Sequence, residues 1–214
     1  MRRTAAEAEQ TRQAIMEAGI RIFARDGFEG AALAAIGREA KLTRGAIYWH
    51  FRDKHDLFRQ IVRREDGRLE RLVAGALSGG GPAFARLRRL LDAVVDNFYG
   101  QETFRRFIEL TWYKLGPSQF APVMDGKTTF VQKFLALMRD LLGESLEAGD
   151  IRPATDVRLA ALHLSCLING LYRLYHVAPD WARDRKAARR LFHEFLDSLA
   201  AAPGATSNGH KEKS

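Results

Sequence analysis

Apolar residues recur along this chain at intervals of three and four, the spacing that lines one face of an α-helix. Between Thr11 and Arg25 they fall at Ile15, Ala18, Gly19, Ile22 and Phe23. Asp26-Gly27 closes that pattern, with Gly27 suited to a left-handed cap. A short second helix is predicted from about Ala32 to Ala40, burying Leu33, Ile36 and Ala40. Lys41 and Leu42 form a tight turn, and the Thr43 hydroxyl is placed to cap a third helix that runs to about Trp49. His50 to Arg52 bend the chain. Asp53 then caps a long fourth helix that buries Leu57, Phe58, Ile61 and Val62, continued by Leu69, Leu72, Val73 and Leu77.

The run SGGGP, Ser78–Pro82, is the clearest interruption. Beyond it, Phe84, Leu87, Leu91, Val94, Val95 and Phe98 mark a fifth helix. A sixth spans roughly Thr103 to Leu115 and is broken by Gly116-Pro117. Phe130, Phe134, Leu137, Met138, Leu141 and Leu142 mark a seventh, ended near Gly149. The eighth, from Thr155-Asp156 to about Val177, is apolar almost all round, which predicts burial on most sides. The ninth follows Pro179-Asp180, with Ala188, Leu191, Phe192, Phe195, Leu196 and Leu199 in strict spacing. The final AAPGATSNGHKEKS has no such pattern and reads as a disordered tail. The prediction is an all-α chain of about nine helices without strands. A helix-turn-helix domain takes residues 1–60, a second helical domain residues 61–200 and the tail residues 201–214.

With 214 residues, 46% of them hydrophobic and 28% charged, the chain can bury a substantial core. No apolar run is long enough to span a bilayer, and the opening MRRTAAEAEQTRQ lacks the apolar segment of a secretory signal. A cytoplasmic location with no membrane association is the default expectation. The single cysteine, Cys166, excludes an internal disulfide and a multi-cysteine metal site. Its apolar surroundings suggest a small core residue, or else a pocket-lining or redox-sensing thiol. No P-loop, GxSxG, HExxH or dinucleotide fingerprint is present, and the six histidines lack metal-ligand spacing. Neither catalysis nor a cofactor is expected.

Charge narrows the choice of partner. The formal net charge is +8. From Ile36 to Arg64, eight cations (Arg38, Lys41, Arg44, Arg52, Lys54, Arg59, Arg63, Arg64) face three anions (Glu39, Asp53, Asp56), a net +5. That excess coincides with TRGAIYWHFRDKHDLF, Thr43–Phe58. On a helix, residues three and four apart share a face. Ile47 and Phe51 therefore point one way, while Thr43, Arg44 and Tyr48 point elsewhere. One side is built to pack. The other offers a guanidinium, hydroxyls and the little bulk of Gly45 and Ala46, which suits a helix lying in a DNA groove. Trp49 fits either a core position or a backbone contact.

The helix pair followed by a long fourth helix and an all-α remainder resembles the TetR family of transcriptional repressors. FARDGFEG (Phe23–Gly30), Leu33–Ile36 and TRGAIYWHFRDKHDLF carry the resemblance. The opening RRTAAEAEQTRQ and the run TRGAIYWHF are most similar to the AcrR/TtgR-type repressors of multidrug efflux operons. Looser similarity continues through Gly149–Tyr175, which looks like that subgroup's dimer-forming region. The resemblance implies duplex operator DNA as partner, with Thr43 capping the recognition helix and touching a phosphate. It implies Arg44 and Gly45 at base-reading positions, and Tyr48, His50 and Lys54 as phosphate anchors. Two departures stand out. Ala31 and Ala32 occupy places where threonine is common, and Lys41 occupies a turn where glycine is common.

The second half offers two more expectations. Phe98, Phe107, Trp112, Phe134 and Met138 read as core or as the lining of a cavity for a small apolar or amphipathic inducer. Ser165, Asn169 and Arg173, four apart on the eighth helix, form a polar stripe in apolar surroundings and belong either to that pocket or to a dimer seam. Leu191, Phe195 and Leu199 form a stripe for an isologous homodimer contact. In the resembled family, the last two long helices pair with their symmetry mates. The function expected is therefore a ligand-released, dimeric repressor of an efflux operon. A regulator of a metabolic or stress operon, or a non-specific nucleic-acid coat, are the alternatives.

Overall fold

The structure, a computed structural model, describes residues 4–114 and 130–202, apart from the side chains of Trp112 and Tyr113. The predicted Gly116-Pro117 break, the Trp112 lining role and most of the tail lie outside the described residues. The elements are α1 (Ala5–Gly30), α2 (Leu33–Glu39), α3 (Arg44–His50), α4 (Lys54–Leu77), α5 (Ala83–Gly100) and α6 (Glu102–Glu109). A π-helical turn (Leu110–Lys114) follows, then α7 (Phe130–Glu147), α8 (Val157–Val177), α9 (Pro179–Ala182) and α10 (Arg185–Leu199). Among the described residues there is no strand, only an isolated antiparallel bridge between Ile151 and Ala200. None of the helices is long and apolar enough to cross a membrane.

Local chemistry sets the helix ends. α1 starts six residues before the predicted Thr11, because Thr4 and Glu7 form a reciprocal capping box. Glu7 N–H donates to Thr4 Oγ1 (3.2 Å), and Thr4 N–H donates to Glu7 Oε2 (2.8 Å). At its other end Gly27 takes φ +74°, kinking the helix at the expected place, and one more turn follows to Gly30. Asp156 caps α8 by accepting from Arg158 and Leu159 N–H (2.9 and 3.0 Å). The predicted ninth helix is two: Pro179 begins the short α9, and Asp184 caps α10.

The described residues form two compact units. The first takes those up to Arg71 together with residues 97–114 and Phe130, and the second takes Leu72–Asp96 and residues 131–202. Long helices α4 and α5 each contribute to both units, so the packing does not follow a single cut at residue 60.

The first unit is built on Ile15, Ile20, Phe23, Ile36, Ile47, Phe51, Phe58 and Ile61, all buried. Phe23, Phe28 and Phe58 form an aromatic cluster with ring centroids 5.3–5.8 Å apart. Polar bonds tie α4 to α1: Arg12 Nε donates to Gln60 Oε1 (3.2 Å) and Arg64 Nη1 to Gln13 Oε1 (3.0 Å). Glu65, only 1% exposed, accepts from Arg64 Nε (2.9 Å) and pairs with Arg68. A buried carboxylate is tolerated because it is paired in this way. The sixth helix passes into the π-helical turn, where Thr111 Oγ1 donates to Phe107 O (2.8 Å) and Lys114 bonds Ala24 O.

The second unit packs Leu87, Leu90 and Leu91 of α5, Met138, Leu141 and Leu142 of α7, Leu164 and Ile168 of α8, and Phe192 and Leu196 of α10. Its surface is pinned by ion pairs and a histidine-carboxylate contact. Asp96 pairs with Arg185 (2.6 Å) and Arg189, Asp92 with His193 (3.0 Å), and Arg88 with Asp197 (2.6 Å). Burial works against the Asp96 carboxylate, but the hydrogen bonds from Arg189 and Arg185 hold its pKa below the ordinary value.

The eighth helix corrects the prediction of burial on most sides. Leu159, Leu162, Cys166, Leu174 and Val177 are exposed. At 100° per residue they share one face, opposite the buried Leu164, Ile168 and Leu171. Cys166 is thus a surface thiol and not a core residue. Six of the nine large hydrophobic side chains exposed among the described residues lie on α8, α9 and α10: Leu159, Leu162, Leu174, Val177, Trp181 and Leu191. Within the chain, α8 has apolar surface left over.

Candidate nucleic-acid interface

α2 and α3 meet at close range. A side-chain carbon on Gly37 would lie 3.0 Å from Ile47 Cδ1 and 3.2 Å from Leu42 O, so any larger residue would need Ile47 and the turn to give by a few tenths of an ångström. Leu42 N–H closes the intervening turn on Gly37 O (2.8 Å). Lys41 completes the turn at φ +57°, a left-handed conformation costing a non-glycine residue about 1–2 kcal/mol. Ala32, as its side chain dictates, gives α2 no capping hydrogen bond. Thr43 caps α3, its Oγ1 accepting from Ala46 N–H at 3.3 Å.

Ile47 and Phe51 are fully buried and fix how α3 is rotated. Its other face therefore looks outward. Arg44 stacks its guanidinium over the Tyr48 ring, 5.3 Å from the centroid, and Nη2 donates to the Tyr48 hydroxyl at 3.3 Å. Gly45 has open space where a side chain would be. Tyr48 is 46% exposed and Trp49 72% exposed, so Trp49 is not a core residue. The His50 ring meets the indole edge-on, centroids 4.5 Å apart. His50 is half-buried and lies within electrostatic reach of Glu9 on α1. The Glu9 carboxyl is held below its ordinary value, first by the Gln13 amide, with Arg12 and His50 adding to the effect.

The start of α4 is a second ordered corner. Asp56 N–H donates to Asp53 Oδ1 (2.7 Å), and Asp56 Oδ2 accepts from Arg52 N–H (3.1 Å). Burial raises the Asp56 pKa, but the Arg52 and Gln60 hydrogen bonds and the Arg52 and Arg59 charges bring it below the ordinary value. Lys54 does not extend into solvent as a free phosphate anchor. Its ammonium donates to Phe28 O (3.1 Å) and Glu29 O (3.0 Å), sits 3.4 Å from Glu29 Oε2, and lies 4.9 Å from the Phe28 ring centroid. It satisfies carbonyls at the end of α1, which have no helical partner. Lys54→Met is accordingly expected to cost about 1–3 kcal/mol of unfolding free energy without DNA present. A urea titration with an unshifted midpoint would show that these bonds stabilise nothing.

The residues predicted for ligand binding are distributed as follows. Phe98 and Phe107 are buried in the first unit. In the second, Met138 is buried, Phe134 half-buried and Arg173 exposed, so Arg173 does not continue a buried polar stripe. Ser165 and Asn169 do meet: Asn169 Nδ2 donates to Ser165 O (2.8 Å) and stands 3.4 Å from its Oγ. Asn169 Oδ1 is buried and accepts no hydrogen bond among the described residues. A shallow groove of about 450 Å³ lined by Pro82, Phe84, Arg88, Arg89, Asp92 and Asp150 shares no residue with the predicted set. Of the predicted dimer stripe, Leu191 is exposed and Phe195 half-buried against the His163 ring (5.7 Å). Leu199 is buried within the chain and drops out of that surface. The sequence reading missed Leu159, Leu162, Val177 and Trp181, although an all-round apolar helix was the signal for the first three. Among the described residues no group of three or more His, Cys, Asp or Glu could hold a metal ion.

A short helix rigidly seated by Ile47 and Phe51, showing arginine, tyrosine and tryptophan to solvent, defines a helix-turn-helix DNA-binding regulator. Comparison with known proteins specifies the kind. Residues 15–61 match the bacterial regulatory proteins of the tetR family. The HTH-type transcriptional regulator AcrR of Shigella flexneri is 30% identical over 206 residues, covering 94% of this chain and 95% of the relative. The HTH-type transcriptional repressor BepR of Brucella suis is 28% identical over 195 residues, covering 90% of each. The crystal structure of NalD, the secondary repressor of the MexAB-OprM multidrug efflux pump in Pseudomonas aeruginosa, superposes with a TM-score of 0.73. It is 28% identical, with 91% of this chain and 98% of that one covered. This chain belongs to the TetR family of transcriptional regulators and is of the AcrR type.

Proposed function

We propose that this protein is a repressor that binds a (pseudo)palindromic operator as a homodimer, controls a multidrug efflux operon and is released by an apolar or amphipathic inducer. The observation that carries the reading is the outward face of α3, where Arg44 is stacked on Tyr48 beside the open Gly45. An arginine held in this way presents donors to guanine O6 and N7, while Thr43, Tyr48 and His50 are suited to phosphates. Lys54 contributes positive charge at the same corner, but first as a positioning residue for α1.

The surplus apolar face of α8 supports pairing with a second copy, since several large apolar side chains exposed together on one helix face mark an interaction surface. The efflux assignment rests on the similarity to AcrR, BepR and NalD over nearly the whole chain. The buried Asn169 Oδ1, without a hydrogen-bond donor among the described residues, supports an inducer that brings one to Asn169 and Ser165, with Phe134 and Met138 proposed as apolar lining. An inducer acts only through different affinities for DNA-competent and incompetent states. Helix α4, continuous from Lys54 to Leu77 and contributing to both units, is the element along which such a difference reaches α3.

Selection from random duplexes with the full chain is expected to enrich a site with two-fold symmetry. A panel of apolar and amphipathic compounds should then include members that raise the melting temperature and weaken operator binding 5- to 150-fold, a coupling of about 1–3 kcal/mol. Asn169→Leu should reduce the response to those compounds and spare operator binding in their absence. A panel that moves neither quantity would make the Asn169 region filled core and place the signal elsewhere.

A further inference from the structure

We propose that Trp49 is a base-reading residue, and that its indole recognises the C5-methyl group of a thymine in the operator's major groove. The inference rests on the DNA-binding reading and assigns a specificity that the arginine and tyrosine do not supply.

Three observations place the indole at the bases. Ile47, fully buried, fixes the inward direction of α3. At 100° per residue, Gly45 and Trp49 then stand on the side most nearly opposite it, with Tyr48 beside them. Gly45 is one turn before Trp49 and has nothing within 4 Å of where its side chain would be. The helix can therefore approach base edges closely on the face that carries the indole. Trp49 is the most exposed of the large hydrophobics described in the first unit, at 72%, and it is held there by the edge-on His50 ring rather than folded back onto the core.

The chemistry selects the partner. Indole has one N–H donor, no acceptor and a large apolar surface. It has nothing to offer the amino groups of cytosine or adenine. The thymine methyl is the apolar group that base edges present in the major groove, and covering it removes apolar surface of both partners from water. Phosphate and sugar contacts would use the N–H alone and leave the ring faces wet.

The test removes that methyl and nothing else. With an operator selected by the full chain, each thymidine is replaced in turn by deoxyuridine, which keeps the pairing and the O4 acceptor. Wild type is expected to lose about fourfold in affinity at one thymine of each half-site, the worth of one buried methyl group. Trp49→Ala should bind the unmodified operator more weakly and be indifferent to that replacement, while Trp49→Phe keeps part of the discrimination. Deoxyuridine silent at every position, a loss that persists in Trp49→Ala, or a selected half-site without thymine overturns the proposal. Failure to enrich any duplex would remove the DNA-binding reading along with it, an outcome distinct from the other three.

Discussion

Replacing Arg44 with alanine is expected to erase base preference at one position of each half-site and to cost about 1–3 kcal/mol there. The reason lies in how the guanidinium is held. It is planar, carries donors in a fixed fork, and is stacked on Tyr48 with one nitrogen on the tyrosine hydroxyl. The stacking limits its rotamers before DNA arrives, so less conformational entropy is lost on binding. Two half-sites double the effect on the complete operator, to about 2–6 kcal/mol, if both protomers read alike. Tyr48→Phe is the control: it keeps the ring under the guanidinium, removes the 3.3 Å bond and should give a smaller loss spread over fewer contacts. Side-by-side selection with wild type and Arg44→Ala reads the outcome directly. An identical base preference would mean that another side chain of α3 reads that position.

Much of this interface was legible before the structure. The Thr43 cap and the buried pair Ile47 and Phe51 follow from residue type and local spacing, whereas Arg44, three residues before Ile47, is outward because its long charged side chain leaves the buried arc and stacks on Tyr48. The orientation of Trp49 was left open, between a core position and a backbone contact. Two residues after Ile47 it stands nearly opposite that side chain, but which side of so short a helix is buried is fixed only by the seating of Ile47 against Gly37. The role of Lys54 was equally hidden. Its acceptors, the carbonyls of Phe28 and Glu29, are 25–26 residues away in sequence and belong to backbone, which carries no side-chain signal. For Cys166 the difficulty was of another kind. A helix apolar all round shows that every face needs cover, not which cover comes from its own chain. The structure divides α8 into a face that this chain buries and a face that it leaves open.

That open face leads to the other large effect. Leu162→Glu and Phe195→Glu are expected to break the proposed homodimer. Leu162 is 52% exposed within one chain, so a glutamate there costs the fold little by itself. Phe195, half-buried on α10 against His163, links the α8 face to Leu191 one turn before it. In an isologous contact each substitution appears twice, and each buried, unpaired carboxylate costs about 3–5 kcal/mol. Two of them weaken association by about 6–10 kcal/mol, at least four powers of ten in the dissociation constant. Sedimentation at micromolar concentration should then show a monomer with an unchanged helical circular dichroism spectrum for Leu162→Glu. An intact dimer would remove α8 from the interface. The consequence for DNA follows from geometry. Two recognition helices joined by a dimer reach half-sites about one helical turn apart as one event. Separate protomers must each be held by a single half-site, so operator affinity should collapse while the base preference within a half-site, set by Arg44 and Trp49, survives.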